Sequence, residues 1–143
     1  MIIPDINILI YAINQDSHCH NKAKNWLEKI LNSNETIGLS WIVIIGFIRI
    51  ITNNKIMSSP LIAKDAVNII SSWLLMPNVI ILNPTNDHWN ILCELLDQLG
   101  TAGNITSDAH LAALAIEHKA YLFSSDNDFS RFKGLRWKNP IID

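Results

Sequence analysis

Cysteine is scarce. Cys19 and Cys93 are the only two, so no disulfide framework holds this chain together and a cytoplasmic setting is the expectation. Charge is sparse as well. Charged residues make up 17% of the 143, and 11 Lys+Arg against 13 Asp+Glu give a net charge of −2. A protein that grips nucleic acid through bulk positive charge is normally clearly basic, so the balance argues against that mode of binding. With 49% hydrophobic residues the chain is too apolar for a disordered acidic tail. Long apolar runs are missing too. The longest, residues 41–48, is eight residues, against the roughly 20 that a membrane-spanning helix needs. No basic segment precedes the apolar start, and Asp5 interrupts it, so no secretory signal is visible. Repeats, low-complexity tracts and Pro/Gly/Ser linkers are absent, which points to one domain over residues 1–143.

What is present is an alternation of short apolar runs with helical periodicity. Residues 1–4 read as a strand and 7–13 as a short helix. Residues 21–32 are a helix with Ala23, Trp26, Leu27 and Ile30 on one face. Residues 36–40 are a short strand. Residues 41–52, apolar almost all round, are a buried helix by length despite their β-branched content. Pro60 is expected to open a helix reaching Leu75, and 79–82 is a continuous apolar strand between Pro77 and Pro84. Residues 85–99 form a helix stopped by Gly100. Residues 106–118 form another, capped by Thr106 or Ser107. Residues 120–124 read as a strand, 128–132 as a helical turn, and 141–142 as an edge strand. Strands alternating with helices predict a three-layer α/β/α sandwich on a mainly parallel sheet, with its site beyond the carboxyl ends of the strands.

Carboxylates fall at that edge. Asp5 follows the first strand directly, and Asp126 and Asp128 follow the strand ending at Phe123. Asp108 lies in the first turn of its helix, with Leu111, Ala112 and Ala115 at i+3, i+4 and i+7, so it sits on a core-facing stripe. Singly, each acid reads as a turn former, a cap or a dipole partner. Four acids in one place repel one another, and no nearby Lys or Arg is an obvious counter-ion. A hard divalent cation with oxygen ligands, Mg²⁺ or Mn²⁺, is the simplest compensation. Glu117 is nine residues past Asp108, about 900° around the helix, so it faces away and reads as structural or surface. His18-Cys19-His20 cannot point three adjacent side chains at one tetrahedral zinc. His110 points to another side of its helix from Asp108.

The order of motifs resembles the PIN-domain ribonucleases, most closely the VapC toxins of bacterial toxin–antitoxin pairs. The residues that carry it are Asp5-Ile6-Asn7-Ile8-Leu9-Ile10-Tyr11-Ala12, Phe47-Ile48-Arg49, Ser107-Asp108-Ala109-His110-Leu111-Ala112-Ala113-Leu114-Ala115 and Ser125-Asp126-Asn127-Asp128-Phe129. The resemblance implies an α/β/α sandwich and a Mg²⁺-dependent endoribonuclease. It implies Asp5, Asp108 and Asp126 as metal-binding acids, Asp128 as an accessory acid, and Asn7 and Ser125 as supports. It also implies a tRNA or rRNA substrate, a homodimer and a VapB-like antitoxin. One position departs from the pattern: many PIN nucleases carry a Glu three residues before the middle-helix Arg, and here Gly46 precedes Arg49. That leaves open a second metal, and also a catalytically weakened domain serving as an RNA-binding or interaction module. Arg49, on an apolar helix, is expected to pair with an acid or with phosphate. Arg131, Lys133 and Arg136 cluster after the acids as candidate RNA contacts, with Trp137 either stacking on a base or packed inside. A phosphoacceptor receiver-type domain would show paired acids near the first strand, and Asp5 stands alone.

Overall fold

The computed structural model describes residues 1–142. Five strands, β1 (Ile2–Pro4), β2 (Ile37–Ser40), β3 (Val79–Leu82), β4 (Tyr121–Phe123) and β5 (Arg136–Lys138), form one sheet in the order β3-β2-β1-β4-β5, every pair parallel. Six helices connect them: α1 (Ile6–Ile13), α2 (His20–Leu31), α3 (Trp41–Ile51), α4 (Ala63–Leu74), α5 (His88–Leu99) and α6 (Thr106–Glu117). Parallel strands need crossovers, and the helices supply them, giving the three-layer α/β/α arrangement. From β1 the chain moves one way to β2 and β3, then returns to place β4 on the other side of β1. The order therefore reverses between β1 and β4, where open α/β sheets form a crevice beyond their strand ends.

Burial follows the residue types. Ile3, Leu39 and Leu122 are fully covered in the sheet, and α6 buries Ala109 and the whole run Leu111–Ala115. Small side chains let that helix lie close against its neighbours. Helix α3 starts where the Ser40 hydroxyl accepts from the Val43 N–H at 3.4 Å. Its Phe47 is buried against Trp73 of α4, ring centroids 5.2 Å apart. The same helix leaves Trp41 and Ile45 more than half exposed.

Several boundaries differ from the sequence expectations. Helix α4 begins at Ala63 rather than Pro60, because Leu61 donates its N–H to the Ile51 carbonyl at 2.9 Å and holds that segment against α3. Helix α5 begins at His88. Thr85 sits in the preceding turn, where its hydroxyl accepts from the Asp87 N–H at 3.2 Å. Neither Thr106 nor Ser107 caps α6. A 3₁₀ turn at Gly103–Ile105 feeds directly into it, and the capping position falls to Ile105. The last strand is Arg136–Lys138, not 141–142, its edge position tolerating two charged side chains. Among the described residues no helix is long and apolar enough to cross a membrane.

Candidate functional site

The acids are set by the ends of β1 and β4. Register pairs Pro4 with Phe123, and the Asp5 N–H donates to the Phe123 carbonyl at 2.9 Å, so Asp5 and Ser124 leave the sheet side by side. Asp5 caps α1, its Oδ1 accepting the Ile6 N–H at 2.7 Å. Its Oδ2 accepts the Ser124 hydroxyl at 2.7 Å. The same Ser124 oxygen accepts from Asn7 Nδ2 at 3.2 Å and from the Asp126 N–H at 3.0 Å. One buried hydroxyl thus ties together both strand ends. Asp126 accepts the Asp128 N–H at 2.9 Å and caps the short 3₁₀ helix Asn127–Arg131.

Asp108 completes the cluster from the first turn of α6. Burial pushes its carboxyl up to about 6, with the charges of Asp5, Asp126 and Asp128 adding to the shift. Asp5 is also raised, chiefly by burial and in small part by Asp126, against the lowering effect of its bonds from Ser124 and Ile6. The four acids therefore feel one another. None of the ion pairs among the described residues includes them. Nor, among those residues, do three His, Cys, Asp or Glu converge into a ready-made cage. The donor set is oxygen only, which suits a hard cation that keeps several of its waters and disfavours zinc.

The structure brings Asp5, Asp108, Asp126, Asp128 and Asn7 together. A cavity of about 300 Å³ borders the cluster, lined by two of its acids, Asp108 and Asp128, with Asn104 and Arg131 among others. Ser125 plays a smaller part than expected: its backbone N–H reaches Asn7 Oδ1 at 3.4 Å, while the hydroxyl that holds Asp5 belongs to Ser124, which sequence reasoning passed over. The register Pro4↔Phe123 is the signal that selects it. Arg49 is exposed and takes no part in the ion pairs of the described residues, so its expected pairing with an acid is not made among them. Arg136 lies at the start of β5, its guanidinium 4.7 Å from the Tyr121 ring and bonded to the Lys119 carbonyl, away from the acid edge. Lys133 is exposed beyond the 3₁₀ helix. Trp137 is half-buried and donates to the Ser124 carbonyl at 3.1 Å, so it packs rather than stacks on a base.

Of the two readings of Glu117, structural or surface, the structure selects the first, with its side chain covered. Its carboxylate meets His88 Nδ1 at 3.0 Å, and His88 Nε2 meets His110 Nδ1 at 2.8 Å, clamping α5 to α6. His110 is accounted for by that clamp, and burial lowers its pKa, with His88 adding to the effect.

The chain matches the PIN domain family over residues 2–135. It is 42% identical over 141 residues to Ribonuclease VapC33 of Mycobacterium tuberculosis, covering 99% of both chains. It is 39% identical over 140 residues to Ribonuclease VapC37 of the same species, covering 98% of this chain and 97% of the relative. Among solved structures it is similar to VapBC2 from Rickettsia felis, with a TM-score of 0.69 and 24% identity over 97% of this chain and 98% of the other. It also resembles M. tuberculosis VapC20, a Sarcin-Ricin loop cleaving toxin, with a TM-score of 0.67 and 19% identity over 95% of this chain and 99% of the other. Since those likenesses run the length of the sheet and include both strands that carry the acids, the chain belongs to the PIN-domain family, within its VapC group.

Proposed function

We propose that this protein is a metal-dependent endoribonuclease that acts as a toxin, held in check by a VapB-like antitoxin. The observation that carries the reading is the cluster of Asp5, Asp108, Asp126 and Asp128 at the point where the strand order reverses, with none of the four in an ion pair among the described residues. The ribonuclease names of relatives at 39–42% identity support the activity, and the VapBC complexes among the structural neighbours support the partner.

Asp5, Asp108 and Asp126 would hold Mg²⁺ or Mn²⁺, which when bound supplies charge neutralisation at the phosphate and an acidified water. The protein's own part is to position. Ser124 and the Ile6 N–H each occupy one lone pair of Asp5, fixing the carboxylate while leaving lone pairs on both oxygens. Asn7 and the Asp126 N–H fix Ser124 in turn. Asp128, exposed and lining the cavity, would accept a hydrogen bond from an attacking water. The bond from that water's oxygen to phosphorus forms as one bridging P–O bond breaks, and the released oxygen takes a proton. Arg131, lining the same cavity, meets a phosphate. Trp41, exposed on α3, is apolar surface offered to a second copy in a homodimer.

Incubating purified protein with total RNA tests the reading, with Mg²⁺ or with EDTA, wild type beside Asp5→Asn. Cleavage by the wild type in Mg²⁺ alone, lost in Asp5→Asn with an unchanged circular dichroism spectrum, is the expected result. Cleavage that survives EDTA or the substitution overturns it. RNA binding without cleavage would instead favour a weakened domain serving as a binding module, the reading that Gly46 leaves open.

A further inference from the structure

A second groove borders the acids. Ile6 follows Asp5 directly and Ser107 precedes Asp108, and both line an opening of about 410 Å³ with Ile42, Ile45, Gly46 and Arg49. Its walls are the side chains of three isoleucines, and its one charged group is the guanidinium of Arg49. That guanidinium is exposed and takes no part in the ion pairs of the described residues. Gly46 lets Ile6 form one wall of the groove. A Cβ there would stand 2.4 Å from Ile6 Cδ1, so the space where a side chain would begin is held by Ile6 from α1. No carboxylate enters from this position, and the groove is cationic where the adjoining cluster is anionic.

Those properties separate two kinds of guest. The acids favour a cation, whereas an apolar slot with a guanidinium at its rim favours a planar ring carrying a phosphate. A nucleotide of single-stranded RNA has both parts, and its neighbouring phosphate would reach the acids. We propose that the groove between α1, α3 and α6 takes the nucleobase next to the cleaved bond, with Arg49 on its phosphate, and so sets base preference at that position. This rests on the endoribonuclease reading and deepens it. Ile45 and Arg49 become positioning residues that act on substrate choice, and Gly46 makes room for the Ile6 wall.

The test uses the full chain with a pool of randomised single-stranded RNA, the cut ends sequenced for wild type, Ile45→Asn and Arg49→Gln. Ile45 is an exposed wall residue, so its replacement leaves the core untouched. Wild type should show base preference at one nucleotide flanking the cut. Ile45→Asn should flatten it and raise KM about five- to ten-fold, the scale of one lost base contact, with a smaller change in kcat. RNA abasic at that nucleotide should cost wild type a similar factor and cost Ile45→Asn almost nothing further. Equal abasic penalties in both proteins overturn the proposal. So does an unchanged base preference in Ile45→Asn, and a fall in native mass accompanying that result would assign the groove to a second copy instead. If wild type cuts no RNA, the hydrolase reading fails by itself. Fluorescence anisotropy with an intact and an abasic RNA oligomer then still judges the groove, and equal binding by wild type and Ile45→Asn overturns it.

Discussion

The hydroxyl of Ser124 donates to Asp5 Oδ2 and accepts from Asn7 Nδ2 and the Asp126 N–H, so its hydrogen-bonding capacity is fully used. Removing it releases the Asp5 carboxylate and strips a partner from the Asp126 backbone. Ser124→Ala should therefore lower Mg²⁺-supported cleavage about 10- to 100-fold, as loss of a group that orients a metal ligand typically does. Ser125→Ala should cost little, because only the Ser125 backbone N–H is engaged at the site. Initial rates against Mg²⁺ concentration for the two variants check this, and equal losses would refute it. The pair also marks a limit of reading the chain by itself. Asp5, Asp108, Asp126 and Asp128 were legible because each stands at a predicted strand or helix end. Which of two adjacent serines faces Asp5 depends on the register of β1 against β4, and the Ser124–Asp5 contact it sets spans 119 residues, which no local pattern encodes.

Helix α3 shows how a single missing side chain can shape an element. Glycine inside a helix usually costs up to about 1 kcal/mol relative to alanine, so Gly46→Ala would ordinarily stabilise. Here the added methyl meets Ile6 Cδ1, the end of a side chain that can swing aside. Gly46→Ala should be close to neutral, whereas Gly46→Glu, with a longer side chain driven into the same place, should destabilise by about 1–3 kcal/mol. Shortening Ile6 in Gly46→Glu/Ile6→Ala should recover part of that loss beyond the sum of the single changes. Urea melts of the four proteins measure the coupling, and strict additivity would show that the two side chains do not compete. The helix itself was readable from its apolar run and its length. Its neighbours were harder. The start of α4 is displaced three residues past Pro60 by the Leu61–Ile51 bond, a tertiary contact. Strand β5 is three residues with charges at both ends, too short and too polar to show a period of two. Glu117 was placed off the acid face correctly by helix geometry, but its burial needs His88, which comes from another helix.

Net charge of −2 suggested no nucleic-acid partner, yet it averages over two unlike regions. Setting aside the four clustered acids leaves nine acids against eleven bases, a mildly basic remainder around a concentrated negative site. That concentration has a thermodynamic consequence. The Asp108 carboxyl titrates at about 6 in the folded chain, above its ordinary 3.8, because burial and then Asp5, Asp126 and Asp128 disfavour its charged form. A raised carboxyl stabilises the fold most when protonated, and that stabilisation is lost as pH rises from about 4 through about 6. His110 works in the opposite sense. Its lowered pKa means that stability is lost as pH falls below 6.5, so the two partly mask each other in the wild type. Asp108→Asn isolates the acid. Without added metal its melting temperature should exceed that of wild type above pH 6 and approach it near pH 4. On the proposed reading Mg²⁺ would bind the ionised cluster and release protons, so it should raise the wild-type melting temperature more at pH 7.5 than at pH 5, and much less in Asp108→Asn at either pH. Thermal melts of both proteins at the two pH values, with Mg²⁺ and with EDTA, measure all of these differences. A Mg²⁺ shift independent of pH, or equal in the two proteins, would mean that the cation stabilises the chain from somewhere other than the acid cluster.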